Sequence, residues 1–288
     1  MTGDREMPAV VFGEDGREHV RSVAIPELEA GEVILRVDYC GICGSDLHAS
    51  APDFRAGVTM GHEFSGTIVD VGPDVSGWRA GDRVCVNPNS DRCGECEYCQ
   101  SGEHNKCTAI GDTSVGVAQN GGMALYAALR PATLRRLPDE LSPVEGAWVE
   151  PLAVALRTVR TSRIAVGDSA VVYRAGPIGL LVIKVLRMAG VGRITAVEPS
   201  PLRARLAADV GADDVVDPGD SAAGEDSPSM ADAPRYAFEC SGVAAVTAAA
   251  VKALPPRGVL TVTGFPRDNP FYSARDLLFK ELEIRMRD

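Results

Sequence analysis

The sequence predicts a mixed α/β protein, an irregular β-barrel-like domain followed by a domain with a doubly wound parallel sheet, and three observations carry that expectation. The chain has 288 residues, 45% hydrophobic and 24% charged, enough to bury two separate cores. To about Leu156 it runs as short β-branched segments between Gly and Pro punctuation, as antiparallel strands do. From about Ala170 the texture becomes apolar strand, glycine turn, Ala/Leu-rich helix and strand again, the alternation of a parallel sheet with helical crossovers.

Taken in order, EVILRVDY (32–39), EFSGTIVDV (63–71) and DRVCV (82–86) are the strands of the first part. In the second part the strands are SAVVYR, RITAVE, ADDVVD, RYAFEC, GVLTVTG and ELEIRMR, with IKVLRMAG in the first crossover helix. Residues 217–234, DPGDSAAGEDSPSMADAP, are rich in Gly, Pro, Ser and Asp without a helical period, which predicts a loop. There are no internal repeats.

The formal net charge of -11, with no cluster of Lys or Arg, argues against nucleic acid, whose phosphates demand grouped cations. Apolar stretches are interrupted before they reach a bilayer span, so no membrane association is expected. The segment MTGDREMPAV is acidic where a signal peptide would be basic and then apolar. These features predict a cytoplasmic protein. Of the eight cysteines, Cys40, Cys85 and Cys240 read as small buried hydrophobes, and the other five have the spacing of metal ligands rather than of disulfides.

Cys93, Cys96, Cys99 and Cys107 form C-x2-C-x2-C-x7-C, four soft thiolates able to close a tetrahedron around one zinc and leave no open position. A disulfide cluster or an iron–sulfur centre would draw on the same residues. The surrounding NPNSDRCGECEYCQSGEHNKC resembles the structural-zinc lobe of the zinc-containing medium-chain dehydrogenase/reductase family of alcohol and polyol dehydrogenases, and the lobe spans about 88–108.

A second set is dispersed: Cys43 in CGICGSDLH, His62 and Glu63 in MGHEFSG, and Glu150 in VEPLAVAL. Thiolate, imidazole and carboxylate can hold zinc and leave a position for water or a substrate oxygen. Singly, His62 is compatible with a packed histidine and Glu150 with a helix start. Together the three motifs resemble sorbitol-type members of the same family. The resemblance implies Cys43, His62 and one or both of Glu63 and Glu150 as catalytic-zinc ligands, with Glu63 also in a catalytic role. It implies Ser45 and His48 as a proton relay, whereas Asp46 reads as a residue holding the loop.

In the second part, VVYRAGPIGLL places Gly176, Pro177, Ile178 and Gly179 at the start of a helix, where a pyrophosphate would bind. Glu198 ends the next strand, and Arg203 lies on the helix after it. An acid there accepts from a ribose diol and repels a 2′-phosphate, which favours NAD(H) over NADP(H). The first glycine of the G-x-G-x-x-G fingerprint is replaced by Arg174, whose guanidinium could obstruct the turn or pair with a phosphate.

The resemblance covers the chain from about Val20. It implies a chaperonin-10-like zinc-binding catalytic domain at 1–156 and a Rossmann-type domain at 157–288, ending several dozen residues before family members do. It also implies two zinc ions per chain, NAD(H), a homodimer or homotetramer, and oxidation of a secondary alcohol of a small polyol, sugar or cyclitol. The altered nucleotide half leaves a non-redox zinc enzyme, such as a lyase, isomerase or hydrolase, as the alternative.

Overall fold

The structure is a computed structural model that describes residues 5–48, 54–219, 233–265, 268 and 273–286. Most of the 217–234 loop expected from the sequence lies outside the described residues. The chain divides into two compact units, Met1–Glu150 and Pro151–Asp288.

In the first unit, β1 (Glu6–Phe12) and β2 (Glu18–Ala24) form an antiparallel hairpin. Sequence reading missed it because β2, EHVRSVA, has no buried position and hence no apolar alternation. The strands β3 (Val33–Cys40), β4 (Phe64–Val71), β5 (Arg83–Val86), β6 (Tyr126–Leu129) and β7 (Leu134–Arg136) form an antiparallel sheet in the order β6-β3-β4-β5-β7. Val33, Leu35, Phe64, Ile68, Val84 and Val86 bury one core. The register of β3 on β4 shifts between Val37 and Tyr39. Such an irregularity bends a strand and re-aims the chain beyond it, here the 40–48 segment.

Three short helices complete this unit: α1 (Glu97–Gln100), α2 (Ile110–Thr113) and α3 (Pro143–Ala147). Ser142 and Glu145 cap α3 reciprocally. The next helix, α4 (Val149–Ser162), starts in the first unit and continues into the second.

The second unit holds a six-stranded parallel sheet. Its elements are β8 (Ser169–Tyr173), α5 (Pro177–Met188), β9 (Arg193–Val197), α6 (Pro201–Val210), β10 (Asp214–Val216), β11 (Tyr236–Glu239), α7 (Ala244–Ala253), β12 (Val259–Val262), α8 (Ala274–Lys280) and β13 (Glu283–Met286). The order is β10-β9-β8-β11-β12-β13. Direction of growth reverses at β8 and β11, the switch point at which doubly wound sheets bind ligands beyond the strand carboxyl ends.

Apolar strands buried on both faces account for this sheet. Val172, Ile183, Leu186, Ile194 and Phe238 fill one core, and Ala250, Val251, Leu254 and Leu260 fill another. Gly179 lets α5 lie close against the end of β8, because a Cβ there would stand 2.0 Å from the Arg174 carbonyl oxygen.

Phe238 is 0% exposed and Val166 81% exposed. Phe238→Ala is expected to destabilise the second unit by about 3–5 kcal/mol, and Val166→Ala by less than about 0.5 kcal/mol. Urea unfolding followed by circular dichroism would test this, and equal effects would refute the placement of the core.

Candidate functional site

The four lobe cysteines lie on α1 and the loops around it, with their sulfurs mutually within 4.8 Å. The Sγ atoms of Cys93 and Cys99 are 4.0 Å apart, and those of Cys107 and Cys93 are 3.5 Å apart. A tetrahedral ZnS4 centre with bonds of about 2.3 Å requires sulfurs roughly 3.8 Å apart, whereas a disulfide requires about 2 Å. All eight cysteines are unpaired.

Backbone N–H groups are aimed at these sulfurs: Cys96 donates to Cys93, and Cys93 and Ala109 to Cys107, at 3.4–3.5 Å. Hydrogen bonds from the backbone at Thr108 and Cys99 hold the Cys96 thiol down to about 6. Similar bonds from Cys93 and Ala109 lower Cys107. Desolvation, reinforced by the neighbouring sulfurs, raises Cys99. A cation at the centre would reverse that last effect and hold all four as thiolates.

The second cluster forms where β3 ends and β4 begins. The ligand-capable atoms of Cys43, His62 and Glu63 lie within 4.8 Å of one another. Gly41 N–H donates to the Glu63 carbonyl at 2.7 Å, which ties the two segments together. Gly41 also makes room for the carboxylate, since a Cβ at that position would stand 2.3 Å from Glu63 Oε2.

Burial raises every acid here. The Cys43 thiol is pushed up to about 11 and the Cys40 thiol to about 12, each chiefly by desolvation. Glu63 and Asp46 are raised by the same cause, which the nearby His62 opposes. Glu150 is pushed up to about 7 by desolvation, and it feels the charges of His62, Glu63 and Asp46. It stands outside the compact group of three.

Asp46 does more than hold the loop. Its Oδ2 accepts from Cys43 N–H at 2.9 Å. Its Oδ1 is buried without a hydrogen-bond partner, 3.5 Å from His62 Nδ1, which is likewise buried and unpartnered. A carboxylate facing one ring nitrogen sets the tautomer and leaves the other nitrogen for a metal. These orphaned atoms and the soft-plus-hard donor set fit a zinc ion.

Ser45 donates from both its hydroxyl and its backbone to Cys43 sulfur. His48 closes a short 3-10 turn, Asp46–His48, and its side chain lies outside the described residues.

In the second unit, Gly176 is the N-cap of α5, and Pro177, Ile178 and Gly179 form its first turn. Arg174 has φ 72°, the left-handed region that glycine occupies freely. Glu198 is only 2% exposed. It turns inward, accepting from Ala175 N–H at 2.7 Å and from Ser200 N–H at 2.9 Å. Arg203 is exposed in the first turn of α6.

Comparison with known proteins agrees with both halves. The alcohol dehydrogenase GroES-like domain matches residues 29–139, and the zinc-binding dehydrogenase domain matches residues 177–287. (R,R)-butanediol dehydrogenase of Bacillus subtilis is 38% identical over 93% of this chain and 79% of its own length. The chain belongs to the zinc-containing medium-chain dehydrogenase/reductase family.

Among other relatives of this dehydrogenase family, a sorbitol dehydrogenase from Halalkalibacterium halodurans is 37% identical, over 73% of this chain and 62% of its own. A zinc-binding dehydrogenase from Sinorhizobium meliloti 1021, solved with NADP bound, superposes with a TM-score of 0.88 at 32% identity, covering 98% of this chain and 84% of that one. An alcohol dehydrogenase from E. coli CFT073, solved with NADH, gives 0.86 at 27% identity, covering 99% and 84%.

The facing role of Asp46 and the space left by Gly41 were not read from the sequence. Both stand beside Cys43 in CGICGSDLH, but their partners, His62 and Glu63, are supplied by the sheet register rather than by the motif.

Cys96→Ser is expected to remove one zinc equivalent per chain and to leave the Cys43–His62–Glu63 cluster able to load. Elemental analysis of the dialysed protein would read this directly, and unchanged zinc content would refute a four-thiolate centre.

Proposed function

We propose that this dehydrogenase-family protein oxidises a secondary alcohol of a small polyol, sugar or cyclitol, or reduces the corresponding ketone, with NAD(H). The carrying observation is the convergence of Cys43, His62 and Glu63 on one buried point, with donor atoms mutually within 4.8 Å. In this reading residues 1–156 are the catalytic domain and 157–288 the nucleotide-binding domain. Two zinc ions would bind per chain: one structural, held by Cys93, Cys96, Cys99 and Cys107, and one catalytic, held by Cys43, His62 and one or both of Glu63 and Glu150.

Bound zinc would supply a Lewis acid that lowers the pKa of the substrate hydroxyl, and the nicotinamide would supply the hydride acceptor. Ser45 Oγ would accept the substrate hydroxyl proton as it gives up its own to His48, which would release a proton to solvent. Asp46, hydrogen-bonded to Cys43 N–H and facing His62, fixes both ligand side chains. Glu63, buried beside Cys43 and His62, would serve as a zinc ligand and act in catalysis. Gly176, Pro177, Ile178 and Gly179 would cradle the pyrophosphate, with Arg174, Glu198 and Arg203 at the turns that flank the adenosine ribose. A cytoplasmic location belongs to the same reading, since reduced thiolates are needed at both metal sites. Among the described residues no helix is long and apolar enough to cross a membrane.

The zinc-loaded protein is expected to reduce NAD+ with (R,R)-butanediol or sorbitol, measured by NADH absorbance. Ser45→Ala should lower kcat about 10²-fold or more while zinc content stays the same. Loss of zinc alongside activity would give Ser45 a structural role instead, and no turnover of any vicinal diol or polyol would sink the substrate class.

Self-association through the sheet of the second unit is part of the proposal. Among the described residues edge strand β13 has a neighbour on one side only, and Leu278 and Phe279, close to it in sequence, are 73% and 74% exposed. Light scattering on a size-exclusion column should give a dimer or tetramer mass. Glu283 N–H is bonded inward to Gly258 carbonyl, so Ile284→Pro, at the alternate position, removes an outward donor from β13 and should shift the mass to monomer. A monomeric wild type would refute the assembly.

A further inference from the structure

The acid that would exclude a 2′-phosphate is not available to do so. Glu198 is 2% exposed, and each of its oxygens is already occupied by a backbone N–H, one from Ala175 and one from Ser200. Its charge is spent on fastening the turn after β8 to the loop after β9.

The same knot carries cations. Arg174 N–H donates to Val197 carbonyl at 2.9 Å, so Arg174 leaves the chain beside the residue that precedes Glu198. Its side chain is half-buried, and its guanidinium has no hydrogen-bond or ion-pair partner among the described residues. Arg203 is exposed and likewise unpaired among the described residues. Ser200, the N-cap of α6, makes no side-chain cap hydrogen bond, which leaves its hydroxyl and the first N–H groups of a ten-residue helix for an anion.

Arg174 also holds φ 72°, a conformation that costs a non-glycine residue about 1–3 kcal/mol. Glycine would remove that cost, so the arginine is retained at a site that disfavours it. A guanidinium pairs with phosphate oxygens in a two-pronged geometry that neither glycine nor lysine reproduces.

We infer that the nucleotide site admits the 2′-phosphate of NADP(H), with Arg174 as the specificity-determining residue and Arg203 and Ser200 as its helpers, so that the protein accepts both dinucleotides. The inference rests on the dinucleotide-binding reading above. An arginine near the ribose end is the general device by which such folds accommodate that phosphate. The inward-turned Glu198 removes the opposing charge from the surface.

Isothermal titration of the zinc-loaded protein with NADH and NADPH tests it without turnover. NADPH is expected to bind no more than about threefold more weakly than NADH, and Arg174→Gly to weaken NADPH about tenfold or more while moving NADH less than about threefold. Glycine suits φ 72°, so this variant folds, and Arg174→Lys should fall between the two. NADPH binding more than about threefold weaker than NADH in the wild type, or a change in Arg174→Gly that is equal for both cofactors, would overturn the inference and leave the NAD(H) reading standing. A rise in both affinities would identify Arg174 as an obstruction, again overturning it. Binding of neither cofactor would sink the dinucleotide reading itself.

Discussion

The burial of acidic groups around Cys43, His62 and Glu63 is the constraint on which the first unit turns. Removing a thiol and carboxylates from water disfavours their charged forms, and the structure does so repeatedly within one small region. The compensations among the described residues include the N–H of Cys43 on Asp46, the Ser45 hydrogen bonds to the Cys43 sulfur, and the imidazole of His62. Buried polar atoms left without partners are costly, and Asp46 Oδ1 and His62 Nδ1 are both in that condition. A divalent cation would resolve the imbalance: it would stabilise the thiolate and carboxylate and take one ring nitrogen of His62, leaving the other turned to Asp46.

Geometry supports that chemistry by rigid means. Cys43 lies just past the end of β3, and His62 and Glu63 directly precede β4, strands paired along nearly their whole length. The Gly41–Glu63 hydrogen bond and the contact that only a glycine permits hold the two segments at fixed separation. A site built on the ends of strands is more precise than one built on free loops. The lobe cysteines solve a different problem. Their helices have four residues or fewer, too short to be stable alone, so closing four thiolates on a metal supplies the order that packing does not.

Most of this was legible in the sequence because the informative signals were local. The C-x2-C-x2-C-x7-C spacing, the CGICGSDLH, GHE and EPLAVAL motifs, and the strand–turn–helix alternation after Ala170 each depend on neighbours within a few residues. The features that were not legible depended on distant partners. The β1–β2 hairpin has a second strand without buried positions, so no period marks it. Asp46 and His62 are sixteen residues apart in the chain, and only the pairing of β3 with β4 makes them face each other. Glu198 illustrates the limit most clearly: its identity and position fit a ribose ligand, yet its orientation is decided by two backbone N–H groups whose placement no motif encodes.

The Arg174 turn shows why a departure from a fingerprint carries information of its own. In G-x-G-x-x-G the first glycine serves a tight turn, and the geometry it serves persists here, with φ 72° at residue 174 and α5 pressed against its carbonyl. The backbone therefore did not change to suit the arginine; the arginine is held in the glycine conformation. Two forces keep the turn closed against that strain. Glu198 clamps Ala175 N–H, and Val197 carbonyl accepts Arg174 N–H. Inward rotation of Glu198 is then part of the support for the turn, and it removes negative charge from the place where the nucleotide's ribose would lie. Strain at one residue and withdrawal of an acid at another are linked through a single hydrogen-bonded knot, which makes cofactor choice a property of that knot rather than of either side chain alone.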